Sequence, residues 1–367
     1  MTETKNNRKT RICMIVQQKD VKGGIASVTN GYYGSYLEEK YDIRYVESYC
    51  DGSAFKKLIK ALKGYSRYKR ILKYYKPDLV HMHTSFGPSF YRLQPFLYKA
   101  KKYGIPVINH CHGADFDNFF INASDWKKKR ILEVYSMFDK VVVLSEEWRK
   151  RFLNIVPDEK IAVIHNYSKP KSWEEVYPWI DGRFKRKQVV FLGEIGERKG
   201  GFDLPEIIKN TVSQMPDTGF VICGDGDKDT VGKICSEIEM KCKGADVLFP
   251  GWVRGNKKDG ILKESSVFLL PSYHEGQPMS ILDAMSYGLP IVSTEVGGIP
   301  ELVENGRNGY LAKPGDAGQM AEGIVKLLSD RSGYESATRE SLDIAFSKYS
   351  FEAHAKKIEE IYDELVK

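Results

Sequence analysis

Short apolar, β-branched runs recur along the chain, with amphipathic stretches between them. Residues 12–16, 43–47, 79–82, 106–110, 141–144 and 161–164 have the length and side-chain type of buried strands. A Trp- and Pro-bearing stretch, 167–187, breaks the series and reads as irregular. A second series follows at 189–192, 220–223, 247–249, 267–270 and 291–293. Strands that alternate with helical patterns build parallel sheets covered by helices on both faces. Two such series predict an α/β chain with two doubly wound, Rossmann-like domains, 1–170 and 188–348, joined by a linker at 171–187. The last segment, 349–367, carries Ile358, Ile361, Tyr362 and Leu365 at helical spacing and reads as an amphipathic helix. Open parallel sheets bind ligands at the carboxyl ends of their strands, so the cleft between the two domains is the expected site.

Composition sharpens this picture. The 367 residues are 42% hydrophobic, enough for two cores, yet no run approaches the roughly 20 apolar residues of a membrane-spanning helix. The first ten residues are polar and basic, without the apolar stretch of a signal peptide, which predicts a cytoplasmic protein. Six scattered cysteines form no C-x-x-C and read as buried free thiols. The net charge of +7 hides an asymmetry: residues 1–170 hold 31 Lys and Arg against 17 Asp and Glu, whereas 171–367 hold 25 against 32. The basic half favours an anionic surface or an anionic acceptor. Its most basic stretch, 55–76, has nine Lys and Arg and no Asp or Glu. Phe55, Leu58, Ile59, Leu62, Tyr65, Tyr68, Leu72 and Tyr75 form a helical stripe there, with Gly64 as a weak point. Two readings fit that stripe: a helix lying on an anionic membrane, or a packed domain helix with a solvated lysine face. Nucleic acid fits the charge alone, but no RNA- or DNA-reading motif accompanies it.

The residues 274–285 carry the clearest chemistry. Glu275 and Gly276 lie on a Gly/Pro-containing turn, and Pro278 suits the first turn of a helix. The free amides of Met279 and Ser280 then point out of the helix start, where phosphate binds well. Asp283, eight residues after Glu275, places a second carboxylate along the same helix. An anion cradle flanked by carboxylates for sugar hydroxyls outlines a nucleotide-sugar site.

Other constellations admit two readings each. Gly23-Gly24, after the first strand, fits a loop whose backbone approaches a ligand, or a plain turn. Arg198 and Lys199, on a Gly-rich loop after 189–192, can neutralise a diphosphate or form an ordinary solvated basic turn. His81, His83, His110 and His112 form two H-x-H pairs at strand ends. They invite a metal reading, but no carboxylate or cysteine set completes a recognised spacing, so polar residues lining the mouth of a cleft are the preferred reading, with a structural role for His81, and no metal site is assigned. Residues 224–229 superficially suggest a calcium loop but lack its sixth-position Gly and closing Glu, and read as a strand-ending turn.

Taken together, these motifs resemble the retaining GT-B glycosyltransferases of family GT4 (glycosyltransferase group 1), over nearly the whole chain. The most specific part runs from Leu270-Pro271-Ser272 to Gly297-Gly298-Ile299-Pro300-Glu301-Leu302-Val303. The resemblance implies that Glu275, His112 and Lys199 form the catalytic group. Gly23-Gly24 would face the donor phosphates or the acceptor, and His112 would lie beside the donor sugar. Lys199, with Arg198, would meet the diphosphate, and Glu275 would hold hydroxyls of the sugar. The backbone at Gly276, Met279 and Ser280 would bind phosphate, and Asp283 the ribose diol. The final helix would cross back onto the N-terminal domain. The donor would be a nucleotide-diphosphate sugar, with no cofactor and no metal.

Two departures stand out: the second acidic position is Asp283 where the family usually has Glu, and the strand-end Gly-Arg pair reads Gly193-Glu194. The basic half suits a lipid-linked saccharide acceptor at the inner face of the membrane, in the assembly of a surface polysaccharide such as capsule or lipopolysaccharide. A soluble enzyme acting on a small sugar, and a non-catalytic nucleotide-sugar binding protein, are the competing readings; Glu194 and Asp283 favour the latter. A dinucleotide-dependent oxidoreductase is disfavoured, because no G-x-G-x-x-G follows the first strand.

Overall fold

The computed structural model describes residues 8–366, so most of the basic N-terminal ten lies outside the described residues. The chain divides into two compact units. Unit 1 takes the chain up to His165 and again from His354; unit 2 takes Asn166–Ala353.

Unit 1 is built on a six-stranded parallel sheet in the order β2-β1-β3-β4-β5-β6. Its strands are β1 (Arg11–Gln17), β2 (Asp42–Tyr49), β3 (Leu79–Thr84), β4 (Val107–Cys111), β5 (Lys140–Val143) and β6 (Ile161–Val163). β3 and β4 are buried along their whole length, as strands covered on both faces must be. The helix Ala54–Arg70 starts where Ser53 accepts the Lys56 N–H. Its apolar stripe divides: Tyr68, and Leu72 just beyond the helix, are buried, while Phe55, Leu58 and Leu62 stay exposed. Gly64, expected as a weak point, is instead a contact point. A Cβ there would lie 2.6 Å from the Glu47 carbonyl oxygen, so the helix can cross β2 this closely only without a side chain.

The helix Phe351–Leu365 enters unit 1 from His354 onward. Ile358, Ile361 and Tyr362 are buried, and the rim is tied by Lys40–Glu359 at 3.1 Å and Lys140–Glu364 at 2.9 Å.

Unit 2 holds a second six-stranded parallel sheet, ordered β12-β11-β10-β7-β8-β9. Its strands are β7 (Gln188–Leu192), β8 (Gly219–Cys223), β9 (Val247–Leu248), β10 (Val267–Leu270), β11 (Ile291–Thr294) and β12 (Gly309–Ala312). The sequence pattern omits β12: with Gly first, it carries few strand-favouring residues, and its place is set by pairing with β11. The segment 171–187, read as an irregular linker, contains the helices Trp173–Val176, opened by a Ser172/Glu175 capping box, and Ile180–Arg186. Both are too short to show a helical period. Arg183 within the second is buried, and its guanidinium donates to the carbonyls of Leu262, Lys263 and Tyr287 at 2.8–3.1 Å. Those carbonyls end the helices Asn256–Glu264 and Met279–Ser286, so one buried cation satisfies groups both helices leave unpaired. The cysteines are free thiols, buried apart from half-buried Cys235.

Candidate active site

Residues 271–278 connect β10 to the helix Met279–Ser286, and unit 2 holds this loop from several sides. Thr294, at the end of β11, donates to the Ser272 carbonyl at 2.6 Å. The Tyr273 N–H donates to the Arg198 carbonyl at 2.9 Å, and the Gly298 N–H to that of Gly276 at 2.8 Å. The Gln277 side-chain oxygen accepts the Asn166 N–H at 2.6 Å, while the Asn166 amide donates to the Gln277 carbonyl at 2.9 Å. Two glycines let backbone reach the loop: a Cβ at Gly200 or Gly297 would stand 1.9 Å from the carbonyl oxygen of Pro271 or Glu275, and both have positive φ.

This cradle fixes Glu275, which is 5% exposed. Its carboxylate is bonded to the Lys199 ammonium and accepts from Ser272 Oγ at 2.9 Å. Arg198 approaches it at 3.9 Å and lies 3.5 Å from Glu194. Glu194, which stands where the family's strand-end pair has Arg, is thus paired with a neighbouring cation and largely exposed, so its charge is screened by water.

The helix begins one residue later than expected. Pro278 occupies the cap position with extended backbone, and its carbonyl receives the Ile281 and Leu282 amides. The cap residue Pro278 offers no side-chain cap and no acid sits in the first turn, so the amides of Met279 and Ser280 lie at the positive end of the helix dipole. Asp283, further along, is paired with Lys258 at 2.5 Å, with both side chains about a quarter exposed. Residue types and spacing gave no sign of Lys258, which arrives from the separate helix Asn256–Glu264. Ser272 lies within the 270–303 motif, but only the folded loop brings its hydroxyl onto the Glu275 carboxylate. The 224–229 turn caps a helix: Asp227 accepts the Thr230 N–H at 3.0 Å.

In unit 1, Gly23 has a φ of 135° and caps the helix Gly24–Asn30 at the carboxyl end of β1. His112 follows β4, with its N–H on the Thr84 carbonyl at 2.9 Å. Of the other strand-end histidines, His81 is buried, in keeping with a structural role, while His83 and His110 are buried rather than lining the mouth of a cleft: all three are at most 3% exposed. Because β3 and β4 pair with His83 opposite His110, the side chains stack into an array completed by His354 of the last helix. His81 Nδ1 is 2.7 Å from the Tyr362 hydroxyl, His83 Nδ1 is 3.0 Å from His112 Nε2, and His354 Nε2 is 2.7 Å from the Tyr32 hydroxyl. Burial pushes His81 down to about 3 and His354 to about 4, and lowers His83, His110 and His112 as well. The array is therefore neutral at neutral pH. His81, His83 and His110 bring nitrogens within 4.8 Å of one another. Their rings stack within 29° of parallel, and His81 Nε2 and His110 Nδ1 already face each other at 3.3 Å.

Two doubly wound parallel sheets, one carrying a carboxylate, cations and an uncapped helix start at its carboxyl edge, define a GT-B glycosyltransferase. The family comparisons agree: residues 26–167 match the family model described as Glycosyltransferase Family 4, and residues 186–330 the one described as Glycosyl transferases group 1. The chain belongs to this glycosyltransferase family and is a transferase. It is 28% identical to the Escherichia coli UDP-Gal:alpha-D-GlcNAc-diphosphoundecaprenol alpha-1,3-galactosyltransferase, over 82% of this chain and 79% of that one. Among solved structures, Anabaena Alr3699/HepE in complex with UDP and glucose matches with a TM-score of 0.73 at 17% identity, covering 96% of this chain and 99% of that one. Sucrose-phosphate synthase from Thermosynechococcus elongatus matches with a TM-score of 0.78 at 16% identity, covering 97% and 99%. Among the described residues, no helix is long and apolar enough to cross a membrane.

Proposed function

We propose that the protein is a retaining glycosyltransferase that moves a hexose-type sugar from a nucleotide-diphosphate sugar to a lipid-linked saccharide, in bacterial surface polysaccharide biosynthesis at the inner face of the membrane. The observation that carries the donor side is the buried Glu275–Lys199 pair set directly before the uncapped helix start at Met279. Cleaving a sugar–phosphate bond builds negative charge on the leaving diphosphate and positive charge on the sugar. Lys199, Arg198 and the amides of Met279 and Ser280 supply fixed positive charge for the first. Glu275 orients the sugar hydroxyls and steadies the second. Gly276 lets the backbone approach the phosphate, and Asp283 takes the ribose diol. The departing phosphate accepts the proton of the acceptor hydroxyl, so the step balances without a separate base. In this reading Lys199 and Arg198 take the neutralising role that a metal ion plays in other transferases.

The acceptor is supported by the relative whose name specifies a diphosphoundecaprenol-linked sugar, and by the basic charge of residues 1–170. On the unit 1 side, Gly23, Gly24 and His112 lie at the carboxyl edge of its sheet and are assigned to substrate. The deciding experiment is diphosphate release from a panel of UDP-, GDP- and ADP-sugars, with and without lipid-linked acceptor, beside Glu275→Ala. Release that requires one donor, rises with acceptor and collapses in the variant is expected, with the product retaining the donor's anomeric configuration by NMR. Binding of a donor with no transfer to any acceptor would instead identify a non-catalytic nucleotide-sugar binding protein. Transfer to a free sugar that outpaces the lipid-linked one would identify a soluble enzyme.

A further inference from the structure

The stacked imidazoles of unit 1 hold two buried ring nitrogens that no group among the described residues bonds: Nε2 of His83 and Nε2 of His110. A neutral imidazole carries one N–H and one lone pair, and its neighbours decide which nitrogen has which. His354 shows how such a choice is made. Its Nδ1 lies 2.6 Å from the His165 carbonyl, which can only accept, so Nδ1 carries the proton and Nε2 receives the Tyr32 O–H at 2.7 Å. The Tyr32 ring packs 5.6 Å from that of His83, but its hydroxyl proton is committed to His354. Burial lowers the proton affinity of these rings, so at neutral pH each holds a single proton.

His83 Nδ1 faces His112 Nε2 at 3.0 Å, and the proton between them belongs to one ring or the other. If His112 owned it, His83 would carry its own proton on Nε2 and strand an N–H in the core. If His83 owns it, Nε2 strands only a lone pair. Orphaned buried N–H groups are the rarer of the two, which puts the proton on His83. The same rule orders the neighbouring pair. His110 keeps a lone pair on unbonded Nε2 and donates from Nδ1 to His81 Nε2 at 3.3 Å, and His81 donates from Nδ1 to the Tyr362 oxygen at 2.7 Å. With Nε2 engaged, half-buried His112 has Nδ1 left for a ligand. We propose that His83 is a positioning residue that fixes the tautomer of His112: it donates to His112 Nε2, so His112 meets the substrate with an Nδ1–H donor. The complement of that donor is a sugar oxygen. His112 then has no free lone pair with which to take the acceptor's proton, which leaves that proton to the departing phosphate. The inference deepens the functional reading and rests on it only for what His112 meets.

The test reads the tautomer directly. Proton–nitrogen correlation spectra are recorded near neutral pH on the full chain without donor or acceptor, with its histidine rings labelled with nitrogen-15. His112→Ala identifies the His112 signals by their loss. His112 is expected to show a protonated Nδ1 and a bare Nε2. A bare Nδ1 or an imidazolium there overturns the proposal, and the wild-type spectrum decides this even where a variant does not fold. Two variants then separate the hydrogen bond from packing. In His83→Asn the amide nitrogen takes the place of ring Nδ1 and still donates, whereas His83→Leu fills the space without a donor. Turnover at saturating donor is expected to fall about tenfold in His83→Leu and to recover to within about threefold of wild type in His83→Asn, the scale of one hydrogen bond. Equal losses in the two variants overturn the positioning role, because packing alone would then explain them. The expected tautomer together with full turnover in His112→Ala upholds the His83–His112 bond and overturns the assignment of His112 to substrate.

Discussion

The ammonium of Lys199 and the carboxylate of Glu275, 76 residues apart in sequence, are bonded to each other inside unit 2. Their side chains are 12% and 6% exposed, so the pair is shielded from water. Removing one partner leaves a buried charge. We predict that Lys199→Met destabilises the fold by about 3–5 kcal/mol at most, since Ser272 still donates to the carboxylate and Arg198 is near. Glu275→Gln keeps the shape and should lose turnover by about 100- to 1,000-fold with little loss of donor binding. Thermal melts and kcat beside donor Kd check both; normal turnover in Glu275→Gln would remove the residue from the mechanism.

The Lys258–Asp283 pair is partly exposed, so its loss should change stability by no more than about 1 kcal/mol. Its expected effect is on donor affinity. Asp283→Ala should raise donor KM by about 10- to 100-fold, the scale of hydrogen bonds to a charged group at ~1.5–3 kcal/mol, with kcat less affected. The variant should also cease to distinguish the donor from its 2′-deoxyribose analogue. An unchanged preference would mean that the ribose lies elsewhere.

Gly297→Ala tests how the loop is held. The residue has φ of 53°, and a Cβ would meet the Glu275 carbonyl oxygen at 1.9 Å. The added methyl should cost at least about 1 kcal/mol and displace Glu275, lowering turnover together with melting temperature. Equal melting temperatures for variant and wild type would contradict the close approach.

The buried histidines predict a pH dependence of stability. Each binds its proton more weakly folded than unfolded, so the unfolded state takes up more protons as pH falls below about 6.5. For His354, lowered to about 4, the loss begins near pH 6.5 and is complete below about 4. At pH 5 this single group costs about 2 kcal/mol relative to pH 8. His354→Gln, which cannot titrate, should show a shallower fall in melting temperature between pH 7 and 5 than wild type. Parallel curves would refute the assignment.

Metal independence is also expected. Transfer should proceed at an undiminished rate after extensive dialysis against EDTA, because Arg198, Lys199 and helix amides are proposed to carry the leaving group. Loss on chelation with recovery on adding a divalent ion would require a different leaving-group account.

Much of this protein is determined locally. Apolar runs of strand length mark every strand but β12, whose glycine start and small size leave no pattern to read. The loop 271–278 and its helix are legible because 270–283 is contiguous, and helix onset, turn and carboxylate spacing are properties of neighbours in sequence. Periodicity also reports that 55–76 is helical and apolar along one side, yet it cannot tell which apolar residues meet β2 and which meet water. Only packing separates Tyr68 from Phe55 and turns Gly64 from a weakness into a contact. Likewise Lys258 reaches Asp283, Arg183 seals two helix ends, and His354 completes the histidine array across long stretches of chain. Pairing at that range depends on strand order and helix placement, which no local pattern encodes, so the tertiary structure alone assigns these partners.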